Sequence, residues 1–232
     1  MLPFWLSIAV LSLVQAALVA APRAASMPRL EGLRSSWWAL VLPLSIVVVI
    51  SAIALDSAAA DLLSYLALVA VPPLFALAWA AHGSLGGEAA ALALSALACA
   101  TLGWLLVCVV PGAWVRLGIY AMAAIDTWLV ASDLLQGPNA VLNTASPGAG
   151  LPRLQFVSFG SAAMGFGDIF IAAVLGALLA RDRRLQLTGA ALAACLCLGF
   201  DLLFLAVDEL PATVPIALTL ALMSLREAAG RG

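Results

Sequence analysis

Met164-Gly165-Phe166-Gly167-Asp168-Ile169-Phe170-Ile171 lies inside a run, Gln155 to Ala180, whose single charged residue is Asp168. A bilayer core of about 30 Å takes about 20 apolar helical residues to cross. The run is long enough, and Arg181-Asp182-Arg183-Arg184 closes it. It therefore predicts one membrane-spanning helix over 155–180. Working outward with the same ruler gives eight candidate spans, at 2–21, 37–55, 62–81, 89–110, 113–136, 155–180, 187–207 and 211–225. Pro, Gly and charged residues mark the breaks between them. Pro22, Arg23, Pro28, Arg29 and Arg34 follow the first, and Asp56 and Asp61 the second. The third ends at His82-Gly83-Ser84, the fourth at Pro111-Gly112, and Asp208-Glu209 precede the last. Residues 137–154 form the one long loop, and Pro211 and Pro215 imply an irregular start to the final helix.

Composition excludes the other broad classes. Hydrophobic residues make up 65% of the chain and charged ones 9%, with a mean hydropathy of +1.15. A soluble domain carries about 25% charged residues, and a disordered chain is far less apolar. Nucleic acid is excluded as a partner, because the net charge is −2 and no basic stripe is present. The fold class expected is all-α: a polytopic helix bundle forming one integral membrane domain over 1–232, in lipid. Trp37, Trp38, Trp79 and Trp114 fall at segment ends, where indole rings prefer the interface. Cys99, Cys108, Cys195 and Cys197 lie in apolar runs without nearby His or carboxylate ligands, which makes them packing residues rather than a metal site.

Orientation follows from arginine. Placing 181–186 in the cytoplasm also puts Arg116, Arg226 and Arg231 there, six arginines against four, with loop 137–154 outside. All ten basic residues are Arg; the absence of Lys fits a GC-rich genome, hence a prokaryotic plasma membrane. A signal peptide is the alternative reading of 2–21, although that stretch lacks a basic n-region.

Depth singles out two acids. Glu31, Asp56, Asp61, Glu88, Asp182, Asp208, Glu209 and Glu227 fall at segment ends or in loops and read as solvated caps. Asp133 and Asp201 fall near interfaces. Asp126 is ten residues from both Arg116 and Gln136, and Asp168 thirteen from both Gln155 and Arg181. Helical rise then puts the two about 15 Å and about 20 Å from their segment ends, near mid-membrane. An ionised carboxylate there costs on the order of 3 kcal/mol and usually faces a functional cavity. Two such acids without a counter-cation are expected to share one proton. Gly165 and Gly167 loosen the helix locally, although Ser161 and Gly165 also make a small-xxx-small packing pair.

Gly165-Phe166-Gly167-Asp168 resembles the GxGD motif of the presenilin and signal peptide peptidase family of intramembrane aspartyl proteases. Asp126 matches that family's other catalytic aspartate, with Ile125 in place of the usual tyrosine. Pro211-Ala212-Thr213 is similar to its Pro-Ala-Leu motif, with Thr213 where leucine is expected. The resemblance covers about residues 113–225 and leaves 1–112 as an N-terminal helical half. It implies a presenilin-like catalytic half that cleaves transmembrane helices or signal-peptide remnants. Asp126 and Asp168 would be catalytic, while Gly165, Phe166, Gly167, Pro211, Ala212 and Thr213 would position substrate. No metal or cofactor is implied. Prepilin peptidases share GxGD but typically carry a Lys soon after the Asp. From the residues alone, a small transporter using Asp126 and Asp168 as proton or cation sites is the alternative.

Overall fold

The computed structural model describes residues 3–21, 62–132, 134, 141, 156–207 and 209–229. The expected span 37–55, nearly all of loop 137–154, and Asp133 lie outside these. The described helices are α1 (Phe4–Val19), α2 (Leu62–Ala80), α3 (Leu85–Val109), α4 (Gly112–Ala131), α5 (Phe166–Leu179), α6 (Arg183–Asp201) and α7 (Val214–Ala229). Strands β1 (Phe156–Phe159) and β2 (Ala162–Gly165) pair antiparallel just before α5.

Membrane character is written in length and exposure. Among the described residues three helices are long and apolar enough to cross a membrane: α3, α4, and α6 continued to Leu205; α1, Val69–Ala80 of α2, α5 and α7 are apolar but shorter. The expected eight spans are therefore not reproduced as eight full-length helices. Large apolar side chains face outward along the bundle, among them Leu6, Leu13, Leu117, Ile125 and Trp128. A surface of that kind suits lipid rather than water. Trp79 and Trp114 are exposed at helix ends, as expected.

The largest departure is at 155–180, which is not one helix. Phe156-Val157-Ser158-Phe159 is rich in β-formers. Gly160-Ser161 supplies a two-residue hairpin loop, with Gly160 at φ 63° in the left-handed region. The hairpin consumes the first part of the run, so the helix starts only at Phe166. Ser161 and Gly165 consequently sit on a hairpin and form no helical small-xxx-small pair. Glu88, in the first turn of α3, accepts a hydrogen bond from the Gly160 backbone N–H at 2.8 Å and so anchors the turn. That is more than a solvated cap.

Helix α5 is the centre of the bundle. Ile169, Ile171, Ala172, Ala173, Val174, Leu175, Ala177 and Leu179 are all buried on it, which leaves almost no face for lipid. Such a helix needs close neighbours, and glycine provides them on two sides. A Cβ on Gly103 of α3 would come within 2.9 Å of the Ala173 carbonyl carbon. One on Gly176 would come within 2.4 Å of the Leu18 carbonyl oxygen of α1. Backbone-to-backbone approach of this kind is how membrane helices gain dispersion contacts when lipid offers no hydrophobic gain. At the C-terminal end of α1, orphan carbonyls are satisfied by α6: Arg183 Nη1 donates to Ala20 and Gln186 Nε2 to Ala21, both at 2.6 Å.

Candidate active site

Helix α4 buries Val115, Ile119 and Ala123, one stripe at helical spacing, and leaves its other faces exposed. Asp126 is three residues further along that stripe, half-buried and aimed toward the bundle. It is closer to the C-terminal end of α4 than expected, because the helix stops at Ala131 rather than 136.

Asp168 is held differently from the expectation. It is not the centre of a long helix but the third residue of a short one. Its Oδ2 accepts a hydrogen bond from the Gly165 backbone N–H at 3.1 Å, the acid half of a capping box. Its depth is nevertheless central. The Cys99 thiol points at the Phe166 carbonyl oxygen, 3.9 Å away. Cys99 is about 21 Å from the Leu85 end of α3 and about 15 Å from the Val109 end, at helical rise. Asp168 thus sits midway along the longest helix because the hairpin fills the other half of that height.

The glycines of the motif have unequal roles. A Cβ on Gly165 would lie 3.0 Å from Asp168 Oδ2, so a side chain there displaces the carboxylate. On Gly167 it would meet only the Met122 methyl, at an ordinary 3.8 Å. If the chain cleaves peptides as its GxGD resemblance implies, Gly165→Ala should lower kcat on a transmembrane-helix peptide at least tenfold and Gly167→Ala less than threefold. Equal losses would show that helix flexibility, rather than room for the carboxylate, is what the glycines provide.

The final helix, α7, starts irregularly around Pro211, as expected. Pro211 opens a turn, the helix begins at Val214, and Pro215 falls in its first turn where a missing N–H is harmless. Thr213 occupies the position before the helix, where a threonine hydroxyl ordinarily caps the helix itself. Here it is buried (2% exposed) and donates to Asp126 Oδ2 at 2.6 Å. The departure from leucine therefore has a use. Thr213 follows Ala212, whose carbonyl oxygen shares the Gln15 amide with the Asp168 carbonyl oxygen, so the Pro211 turn links the two acids. Phe166 stacks on Phe170, with ring centroids 6.4 Å apart, and lends the site rigidity rather than a polar group.

Gln15 belongs to the site as well, although depth points only to acids. It is 1% exposed, and its Nε2 donates to the Asp168 carbonyl oxygen at 3.1 Å and to the Ala212 carbonyl oxygen at 3.4 Å. The Cys197 thiol donates to Gln15 Oε1 at 3.5 Å. One amide thus ties α1, the start of α5, the Pro211 turn and α6 together. A lone Gln in an apolar run was the signal.

Asp201 corrects a second expectation. It closes α6, where a 3-10 turn, Leu202–Leu205, carries the helix on, and it does not face outward as a residue near an interface would. It is buried (9% exposed) and accepts a hydrogen bond from Ser12 Oγ at 2.8 Å. Together with Ser12, Gln15, Asp168 and Cys197 it lines a cavity of about 90 Å³ under the hairpin. Among the described residues no three His, Cys, Asp or Glu side chains are grouped to hold a metal. The four cysteines are unpaired by disulfides, Cys99 and Cys197 being buried.

No protein-family model, curated protein or solved structure matches this chain.

Proposed function

We propose that this membrane protein is an intramembrane aspartyl endopeptidase that uses Asp126 and Asp168 as its catalytic pair. What supports the reading most is the placement of Asp168. It follows two glycines at the start of a buried helix, midway along α3, with Asp126 of α4 held by Thr213 in the adjacent Pro211 turn. Two nearby carboxylates with one proton between them can divide the labour of hydrolysis. The ionised one takes a proton from a water as its oxygen attacks the scissile carbonyl. The protonated one donates to the carbonyl oxygen as the tetrahedral intermediate forms. Collapse of the intermediate breaks the C–N bond and transfers a proton to the leaving amine. No cofactor takes part in these steps.

The substrate class would be a transmembrane helix or signal-peptide remnant. A helical peptide bond is shielded by its own hydrogen bonds, so the substrate must be extended locally. Backbone beside Asp168, in β2 and in the Pro211 turn, offers partners for an extended strand. The membrane would be a prokaryotic plasma membrane, by the all-Arg composition. Prepilin peptidase-like GxGD chemistry would use the same pair.

Thr213 gives a test at the edge of the site. A hydrogen bond to an ionised group contributes about 1.5–3 kcal/mol. Thr213→Val keeps the shape and removes the donor, so kcat is expected to fall about tenfold to a hundredfold, since about 1.4 kcal/mol is a factor of ten. Thr213→Ser should keep most of it. Cleavage of a transmembrane-helix peptide in liposomes is the assay, and a Val variant as active as wild type would remove Thr213 from the site.

A further inference from the structure

We propose that the cavity beneath the hairpin is a water chamber that supplies Asp168, and that Asp201 is the residue that keeps it hydrated, a role that rests on the protease reading. Hydrolysis consumes one water per bond, and a site midway through a lipid-facing bundle has no bulk solvent beside it. The chamber of about 90 Å³ has room for several waters, since each takes about 10–15 Å³ of such space. Room alone does not make a cavity wet: an apolar void of larger size stays dry, and a water needs two to four polar partners. Those partners are present. Asp168, Asp201, Ser12 and Gln15 all line the space, along with the apolar Ile8, Phe200, Phe204 and Leu210.

Asp126 does not line the chamber, so water held there meets the catalytic pair at Asp168. Asp201 is fixed there by a contact between distant parts of the chain, Ser12 Oγ on α1 donating to its Oδ2. The titratable groups lining the chamber are Asp168, Asp201 and Cys197. The Cys197 thiol is already committed to Gln15, which leaves the two carboxyls as the strong partners for water. Asp201 is then a positioning residue: it holds the water that Asp168 uses and makes no contact with substrate.

The test separates hydration from chemistry. Full-length protein labelled with ¹³C-methyl methionine is examined in detergent for water-to-methyl cross-relaxation at Met164, which lines the chamber, against Met223, which is buried elsewhere. Wild type should give a cross-peak at Met164 and none at Met223. Asp201→Leu should lose the Met164 cross-peak and at least tenfold in kcat, with KM on a transmembrane-helix peptide within twofold. Asp201→Asn, polar and of the same volume, should recover the cross-peak and most of the rate. Should Asp201→Leu not purify as folded protein, Ala163→Phe fills the chamber from the hairpin and should have the same two effects. A dry Met164 in wild type overturns the proposal, and so does an Asp201→Leu protein with wild-type turnover. Asp201→Asn as inactive as Asp201→Leu but still hydrated would make Asp201 a proton-transfer group instead, and overturns it as well. If cleavage survives Asp168→Asn, the protease reading itself fails, whatever the water signal does.

Discussion

Asp126→Asn and Asp168→Asn proteins are each expected to cleave no transmembrane-helix peptide, while folding and inserting as wild type does. Asn keeps the volume of Asp and can still accept the Thr213 hydrogen bond at 126 and the Gly165 N–H bond at 168. What it cannot do is exchange a proton. Each carboxyl is needed in a different protonation state, so loss of one leaves the other with no partner reaction. The double variant should add almost nothing to either single loss, as for any residues that act as a unit. A peptide with a hydroxyl in place of the scissile carbonyl resembles the tetrahedral species, and should bind wild type tightly and both variants poorly. The pH–rate profile should be bell-shaped and report macroscopic constants of the pair. Wild-type cleavage by Asp126→Asn would break the assignment. Intact proteolysis in both variants, with proton-coupled uptake into liposomes abolished in both, would install the transporter reading in its place.

The next largest effect is expected at Gly176, far from the acids. Its Cα faces backbone, with the Leu18 oxygen and the Val19 Cα within 2.4 and 2.8 Å of where a side chain would begin. Backbone cannot rotate aside as a side chain can, so Gly176→Leu must push α1 away from α5. The same shift would pull Ala21 from Gln186, whose Nε2 also donates to the Gly176 carbonyl oxygen at 3.2 Å. Overpacking of this kind costs about 1–3 kcal/mol, occasionally more. At about 2–4 °C per kcal/mol for a chain of this size, Tm in detergent should fall by roughly 5–10 °C. Activity should fall too, because α1 carries Ser12 and Gln15 into the site. A Gly176→Leu protein that melts within about 2 °C of wild type would mean that α1 and α5 are not in backbone contact.

Helix positions were legible where punctuation was strong. Pro111-Gly112, Arg181 to Arg184 and Pro211 each mark a real boundary to within a few residues, because a proline ring or a charge cannot be carried into a buried helix cheaply. Asp126 was legible because an acid ten residues from both Arg116 and Gln136 stands alone in the middle of an apolar run. The hairpin was not. Phe156-Val157-Ser158-Phe159-Gly160-Ser161 carries a hairpin signal, but an apolar run measured only by length absorbs it into a span. Asp168 reaches the middle of the bundle all the same, beside Cys99 of α3, because the hairpin takes up the length that a helix would have taken. Ser12, Gln15 and Asp201 were out of reach for a different reason. Their partners are more than 150 residues away in sequence for Gln15 with Asp168 and for Ser12 with Asp201. No local pattern encodes such pairs.

A helix that begins in the middle of the bundle brings its positive pole there. The amides of a first turn amount to roughly half an elementary charge, and in α5 that half-charge lies beside Asp168, where only the few waters of the chamber can screen it. An anion at this spot, whether a carboxylate or the oxyanion of a reacting carbonyl, meets a fixed dipole that needs no reorganisation. Were the hairpin to wind into helix, the same pole would retreat about 15 Å for ten added residues. Asp168 would then sit in mid-helix, its nearby amides spent on the helix's own carbonyls. The ten residues from Phe156 to Gly165 thus decide, by refusing to be helical, where in the membrane a negative charge is welcome.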